Sequence, residues 1–153
     1  MRKLIEGAAK AAAESRGKDA IRENYERVVL VSLGRFQLLE FALKRHIGKL
    51  ANLQKNFRKK DQLLKELDEL SLGLLLKRLK IADNGEPLID QIRPLLEVRN
   101  EIAHQSLLWI SGIDNIDIFH HFNATIAYSA HAMAVQDCLR ELAAKLNEPQ
   151  VGI

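Results

Sequence analysis

The sequence predicts an all-α protein, built as an antiparallel four-helix up-and-down bundle with an extra short helix at the N-terminus. Leu, Ala, Lys and Glu, which favour helix, recur throughout the 153 residues, and only three prolines and eight glycines interrupt them. Long stretches in which polar and apolar residues alternate, the pattern of half-buried strands, are absent. Apolar residues recur instead at steps of three and four, as they do on the packed face of a helix.

The first two helices differ in composition. The first is short and rich in alanine, and the segment Ser15-Arg16-Gly17-Lys18-Asp19 predicts the break that ends it. Residues 1–18 are therefore expected to form an extension, and residues 19–148 a single helical domain. The second helix runs from about Asp19 into the early fifties. Its apolar seam consists of Val29, Leu33, Phe36, Leu43, Ile47 and Leu50.

Three further helical regions follow, separated by turns. Residues 61–81 form the third, in which Gly73 marks either a break or a close helix contact. The turn sequence Asp83-Asn84-Gly85-Glu86-Pro87 precedes a fourth helix, which ends near His104 or Trp109. The last helix covers about residues 116–146. Short connections of this kind favour antiparallel neighbours. The expected core side chains of these last two helices are Leu95, Val98, Ile102, Phe119, Phe122, Met133, Val135, Leu139, Leu142 and Leu146.

Composition and the N-terminal sequence bear on the cellular compartment of the protein and on its classes of partner. The net charge of +3 says little about its partners, and the single cysteine, Cys138, excludes an intrachain disulfide. The N-terminus starts like a signal peptide, but Glu6 and Lys10 interrupt what would be its apolar region. The longest apolar stretches fall short of the roughly 18 residues that a membrane span needs. We therefore expect a cytoplasmic protein with no membrane partner.

The most informative segment is residues 95–104, Leu-Leu-Glu-Val-Arg-Asn-Glu-Ile-Ala-His. On a helix, Arg99 and His104 lie about 140° apart, on either side of a face that also carries Asn100. That face is partly apolar, because Leu96 and Ala103 share it. A helix with two such faces needs two partners. One is its own bundle, and the other could be a second copy of the chain.

The sequence Arg99-Asn100-Glu101-Ile102-Ala103-His104 resembles the R-x4–6-H motif of the HEPN (higher eukaryote and prokaryote nucleotide-binding) domain family. It has the common form with Asn after the Arg and Ala before the His. As in the family, the motif sits near the end of the penultimate helix of a four-helix pattern. It also follows a helix that contains Leu-Gly, Ser71 to Lys80, and a turn. The resemblance covers about residues 19–146.

The resemblance implies a metal-independent endoribonuclease that acts as a homodimer, with the two motifs facing each other across the interface. The 2′-hydroxyl of the RNA attacks the neighbouring phosphate and leaves a 2′,3′-cyclic phosphate, so that no metal or other cofactor is needed. His104 would move a proton near neutral pH. Arg99 would stabilise the charge that builds at phosphorus, and Asn100 would orient the imidazole or hold a phosphate oxygen.

A separate domain of this size looks like a toxin–antitoxin or phage-defence component, with an antitoxin protein as a further candidate partner. In some such toxins, a tyrosine two positions after the motif histidine is the residue that becomes modified. This chain has Ser106 at that position. Regulation by that route is therefore in doubt.

Other interpretations of the same residues stay open at this stage. Arg99 could be a solvated residue paired with Glu97 or Glu101, and His104 could cap the C-terminus of its helix, where a cation is favoured. The domain could also be a catalytically inactive HEPN-like module that dimerises or binds a protein or a nucleotide. A purely structural bundle is a third possibility.

Glu40 stands out because it occupies the slot between Phe36 and Leu43 in the apolar seam. A carboxylate there is costly unless it is paired. One hypothesis is that it meets Arg99 or Asn100 and fixes their orientation. The alternatives are that Glu40 reaches solvent or pairs with a structural lysine.

Residues 44–60 form the most basic stretch of the chain and contain no acidic residue. Its candidate RNA-binding residues are Lys55, Arg58, Lys59 and Lys60, which could follow an RNA backbone through phosphate contacts. The alternative is a solvated face that nearby carboxylates balance, and charge runs of this kind are common.

Overall fold

A computed structural model describes residues 2–53, 60–110 and 118–149, and the regular structure within these ranges is entirely helical. The side chains of residues 2–5, 8, 9, 52, 53, 60, 61, 64, 109, 110 and 118 lie outside the description. Six helices occupy the described ranges: α1 (Arg2–Leu53), α2 (Lys60–Asp68), α3 (Leu72–Ala82), α4 (Leu88–Ile92), α5 (Leu95–Ile110) and α6 (Ile118–Asn147). The predicted all-α class is therefore confirmed. Within these ranges, no helix combines the length and the hydropathy that crossing a membrane requires.

The first helix is continuous, so the break expected at Ser15–Asp19 does not occur. One glycine inside a helix costs only about 1 kcal/mol relative to alanine, and the helix-favouring alanines before Gly17 offset that cost. Residues 10–20 are nevertheless exposed throughout, and Tyr25 is the first fully buried residue among the described side chains of α1.

Two other helix boundaries differ from those expected. The third region divides at Glu69–Ser71, where Ser71 occupies the N-cap position of α3, and Gly73 lies inside that helix. The fourth divides into α4 and α5, because Pro94 has no N–H to donate to the preceding turn. The turn expected at residues 83–87 is present, and the Asp83 carboxylate accepts a hydrogen bond from the Gly85 N–H (3.0 Å).

Helices α1 and α6 run parallel, in a register offset by 96 or 97 residues. At one end the Tyr25 ring lies 4.5 Å from that of His121. In the middle, Arg35 donates to the carbonyl of Ala132 (2.9 Å), and at the other end Lys49 donates to the carbonyl of Lys145 (2.6 Å). The two helices therefore stay in contact over about 24 residues, or some 36 Å.

Helix α5 runs antiparallel to α6, and consequently also to α1. Gln91, just before α5, donates to the Glu141 carboxylate (2.9 Å), whereas Tyr128, earlier in α6, donates to Glu101 (3.0 Å). Consecutive helices in the chain are thus antiparallel here, as their short connection predicts. The first and last helices are free of that constraint, since they are not joined directly.

The core fills the space between the six helices, and α2 contributes Leu67 to it. The predicted seam of α1 is buried or half-buried along its length, and Leu39 adds to it. The largest fully buried side chains are Tyr25, Phe36, Leu39, Leu43, Leu67, Leu72, Leu75, Leu79, Leu88, Ile92, Ile102 and Leu142. Cys138 is buried as well, and burial raises the pKa of its thiol. A buried thiol with a raised pKa is a weak nucleophile, because the thiolate is the reactive form.

Three residues expected in the core are exposed instead. Phe119, Phe122 and Met133 leave 72%, 52% and 67% of their surface in contact with solvent. They lie on the side of α6 opposite its core face, which is formed by residues such as Val135 and Leu142. Spacing alone identified an apolar face there, but α6 has two apolar faces, and only one of them meets the bundle.

At one end of the bundle, a cluster of polar side chains links α1 and α6 to the start of α4. The Glu86 carboxylate is almost fully buried and lies 3.2 Å from the Lys145 ammonium and 3.5 Å from the His46 imidazole. It also accepts a hydrogen bond from the Leu88 N–H at the start of α4 (3.3 Å). Burial lowers the pKa of His46 below its ordinary value of 6.5, and the opposing effect of the nearby carboxylate is smaller. His46 is therefore favoured in its neutral form.

This arrangement predicts that stability declines in mildly acidic solution. Because the pKa of His46 is lower in the folded than in the unfolded chain, the unfolded chain binds a proton more readily below pH 6.5. The free energy of unfolding, measured in urea, should fall as the pH drops from 7.5 to 5.5, and His46→Gln should flatten this slope. The exposed His120→Gln is the control. A titration of His46 by NMR with a midpoint above 6.5 would contradict the expectation.

The packing predicts a large cost for truncating the seam of α1. Leu43 is fully buried, so Leu43→Ala should lower the free energy of unfolding by about 2–5 kcal/mol. Ile81, which is 80% exposed on α3, provides the matched control, and Ile81→Ala should change it by no more than about 0.5 kcal/mol. Equal costs at the two positions would refute this placement of the core.

Candidate active site

The candidate site is built on α5, whose side chains Arg99, Asn100 and His104 belong to the motif at residues 99–104. Arg99 reaches across to α1, where its guanidinium lies 3.5 Å from the carboxylate of Glu40. Both side chains are partly covered, with 36% of Arg99 and 20% of Glu40 exposed. The carboxylate in the apolar seam is thus paired with the motif arginine. Among the described residues, no ion pair joins Arg99 to Glu97 or Glu101, its alternative partners on the same helix.

A second contact links the two neighbouring polar side chains of the motif. The Arg99 guanidinium donates to the amide oxygen of Asn100 (3.2 Å). Together with Leu96 and the first residues of α3, these side chains line a small cavity of about 140 Å³. The cavity has room for a few water molecules or one small polar group. A guanidinium at its edge still has donors free of these contacts, since it carries five N–H groups.

His104 lies elsewhere on the same helix. It is exposed, about one and a half turns beyond Arg99 and about 140° away around the helix axis. Its imidazole is therefore open to solvent and is not packed in the core. Within one chain, Arg99 faces α1 whereas His104 faces outward from the bundle.

The motif helix is held on its other side by Glu101. The Tyr128 hydroxyl of α6 donates to its carboxylate (3.0 Å), and the Tyr128 ring lies 6.3 Å from that of Tyr25 on α1. Burial raises the pKa of Tyr128, and the hydrogen bond to Glu101 raises it further, so the phenol keeps its proton. Two consecutive polar contacts, Arg99 to α1 and Glu101 to α6, therefore hold α5 against both long helices.

Sequence reasoning did not identify two parts of this arrangement. Ser71, Leu72 and Gly73 line the cavity beside Arg99, because α3 begins at that level of the bundle. Tyr128 has no sequence feature that marks it as the partner of Glu101. Gly73 was expected to mark a break or a close helix contact, and both expectations are wrong. It lies inside α3, and among the described residues no atom beyond its own neighbours and helix backbone lies within 4 Å of the position where a side chain would begin.

The basic stretch is only partly described. Lys55, Arg58 and Lys59 lie outside the described residues, as does the side chain of Lys60. Two earlier members have structural partners: Lys44 donates to the carbonyl of Asp68 at the end of α2 (2.7 Å), and Lys49 donates to three carbonyls at the end of α6. Cations at helix C-termini are favourable, so these two lysines stabilise the fold.

Comparison with known proteins adds no relative. No protein-family model matches the chain, and neither the curated proteins nor the solved structures contain a significant match.

Proposed function

We propose that the chain is a HEPN-like, metal-independent endoribonuclease whose active site consists of Arg99, Asn100 and His104. The observation that carries the proposal is the orientation and the solvent exposure of these side chains on α5. Arg99 is oriented by a carboxylate, Asn100 lies beside it, and the His104 imidazole is open to solvent. The proposed bundle is the four-helix HEPN type, in which the motif lies on the penultimate long helix.

In this reaction the 2′-oxygen of a ribose forms a bond to the adjacent phosphorus, and the bond from phosphorus to the 5′-oxygen breaks. The products are a 2′,3′-cyclic phosphate and a 5′-hydroxyl. His104 transfers the proton of the attacking hydroxyl or that of the leaving oxygen. An imidazole suits this role because its ordinary pKa lies near neutrality.

Arg99 and Asn100 act on the phosphate. A guanidinium stays charged at every relevant pH and presents a planar fork of donors that matches two phosphate oxygens. Its charge is most valuable when negative charge accumulates at phosphorus in the transition state. Glu40 holds this guanidinium from α1, so that fewer rotamers are lost when RNA binds.

A homodimer completes the site in this proposal. Arg99 and His104 of a single chain diverge around α5, so a phosphate that contacts both must lie between motifs of two copies. The basic residues Lys55, Arg58, Lys59 and Lys60 are proposed to bind the RNA backbone on sequence grounds alone. The cellular setting proposed is a cytoplasmic toxin–antitoxin or defence system, with an antitoxin protein that restrains the nuclease.

Ser106 bears on how such a nuclease would be restrained. It is buried, and its hydroxyl donates to the carbonyl of Ala103 within α5 (2.8 Å). A side chain so placed is a poor target for modification. Restraint through modification of this position is therefore not part of the proposal.

The alternative function is a non-catalytic HEPN-like module that uses the same face to bind a protein or a nucleotide. The pairing of Arg99 with Glu40 favours it to a degree, since it neutralises the charge that phosphate would bind. The two functions can be distinguished by an activity assay, because only the nuclease cleaves RNA.

The decisive experiment is a cleavage assay on total RNA and on transfer RNA with metal ions chelated. The native protein should leave 2′,3′-cyclic phosphate ends, and Arg99→Ala and His104→Ala should each reduce the rate at least 100-fold. Arg93→Ala and His120→Ala are the matched controls, because these exposed residues lie outside the motif and should leave the rate unchanged.

Two results would contradict the proposal. No cleavage of any RNA by the folded native protein would favour the binding module. Cleavage that survives both motif substitutions would mean that a different site, or a contaminant, is responsible.

The role of Glu40 gives a separate prediction. Glu40→Gln should reduce the cleavage rate about tenfold, while the free energy of unfolding changes by less than about 1 kcal/mol, as for other partly exposed ion pairs. In the Arg99→Ala background the same substitution should have no further effect on rate. Glu97→Gln, on the exposed side of α5, is the control. An unchanged rate and unchanged stability in Glu40→Gln would remove this positioning role.

A further inference from the structure

Helix α1 carries a second apolar face, directly opposite its core seam. Leu30, Leu38 and Phe41 leave 59%, 58% and 57% of their surface in solvent, although all three are large hydrophobic residues. With Gly34 between them they lie within about 80° of the helix circumference. Apart from its chain neighbours and the backbone of its own helix, no atom of the described residues lies within 4 Å of the position where a side chain on Gly34 would begin. This face, which we call the outer face of α1, is therefore open.

Helix α6 extends this outer face sideways. The parallel register of α1 and α6 places Ile126 level with Leu30, and Met133 lies within two residues of the level of Leu38. Ile126 and Met133 are 58% and 67% exposed, and Phe122 on the same stripe of α6 is 52% exposed. Two parallel helices thus present one continuous apolar surface about 20 Å long. It comprises Leu30, Val31, Leu38, Phe41, Phe122, Ile126 and Met133.

We propose that this surface binds the same surface of a second copy of the chain, with the two α1 helices antiparallel and the two-fold axis passing beside Gly34. A two-fold contact must be self-complementary, and the sequence around Gly34 has this property. Leu30 lies four residues before Gly34 and Leu38 four residues after it, so that each meets the other across the axis. Gly34 meets Gly34 of the partner subunit, which lets the two helices approach closely.

The charges on the outer face agree with this pairing. Glu23 lies eleven residues before Gly34 and Arg45 eleven residues after it, so the antiparallel contact brings opposite charges together at both ends. Arg27 and Phe41 each lie seven residues from Gly34, so Arg27 meets Phe41 of the partner subunit. Within the chain, the guanidinium of Arg45 already lies over the Phe41 ring, 5.6 Å from its centroid. Both arginines therefore find favourable partners.

The sequence of α6 also favours a second copy of the chain as the partner of this surface. From Ile118 to Gln136 the chain has no Asp, Glu, Lys or Arg. When identical surfaces meet, every charge near the two-fold axis faces a like charge, and an uncharged stretch avoids that repulsion. A partner of opposite charge would have nothing to bind on this part of α6.

The size of the surface is sufficient for a dimer. The seven side chains are 46–67% exposed. Two of them are phenylalanines, a residue type that buries 150–250 Å² when fully enclosed, and the aliphatic ones are somewhat smaller, so each exposes at most on the order of 100 Å². The surface therefore approaches about 700 Å² per copy, close to the roughly 800 Å² per partner of a standard interface.

The pairing also has a consequence for the motif, which rests on the proposed function. Helix α5 flanks α1 on the side of Glu40, and α6 flanks it on the side of Arg35. In an antiparallel contact, the α5 helices of both copies therefore lie on the same side of the α1 pair. His104 lies within about two turns of the level of Gly34, so the histidines of the two copies lie at a similar height along the α1 pair.

The test is the mass of the native chain in solution, measured by sedimentation equilibrium from 1 to 100 µM. The native chain should self-associate, and Leu38→Glu should halve its mass because two carboxylates then face the apolar centre of the contact. Ile81→Glu is the control, since it places the same charge on a hydrophobic residue of α3 that is even more exposed than Leu38, and it should leave the mass unchanged. A native monomer at 100 µM, or an equal mass in Leu38→Glu, would overturn the proposal.

A charge exchange tests the orientation. Glu23→Arg and Arg45→Glu should each weaken association at least threefold, and the double variant should restore it, since each pair then regains opposite charges. Both residues are exposed, so these changes leave the fold intact. Failure of the double variant to recover would exclude the antiparallel contact about Gly34.

These measurements are independent of the cleavage assay. A dimer that responds as described but cuts no RNA would leave the interface standing and refute the proposed nuclease. If the protein cleaves RNA but neither Leu38→Glu nor the charge exchange changes its mass, the proposed nuclease would stand and the proposed interface would be refuted.

Discussion

The parallel packing of α1 against α6 is the constraint on which the rest of the structure depends. It joins the first and last helices of the chain over about 36 Å, with Tyr25 and His121 in contact at one end and Lys49 capping α6 at the other. Helix α5 is joined to α6 by a short connection and packs antiparallel to it, and therefore also to α1.

Helix α5 is held in this position by polar contacts as well as by its apolar side chains. Arg99 binds Glu40 on α1, and Glu101 accepts a hydrogen bond from Tyr128 on α6. The residues between and beyond these two contacts are thereby set at fixed angles around the helix. His104 consequently points outward, whereas Asn100 stays beside Arg99. A site arranged in this way is half complete within one chain, and a second copy supplies the other half in the function proposed here.

The two long helices share an unusual property, since each has a second apolar face opposite its core face. A helix in a monomeric bundle buries one stripe and presents polar residues on the other side. In α1 and α6 the outward stripes lie next to each other because the helices are parallel and in register. The same constraint that positions the motif thus also creates the surface for which we propose a second copy as the partner.

Local sequence alone determined the helical class, the seam of α1 and the anomaly of Glu40, because these depend on residue type and on the spacing of the helix itself. The contact of Glu40 with Arg99 could be anticipated, since a carboxylate in an apolar seam needs a cation and Arg99 lies on a helix predicted to pack nearby. Spacing could not tell which apolar face of α6 meets the core, so Phe122 and Met133 were assigned to the wrong side. The direction of α6 relative to α1, the tyrosine partner of Glu101 and the cavity beside Gly73 were decided only by the tertiary structure, because they join residues that are distant in the chain.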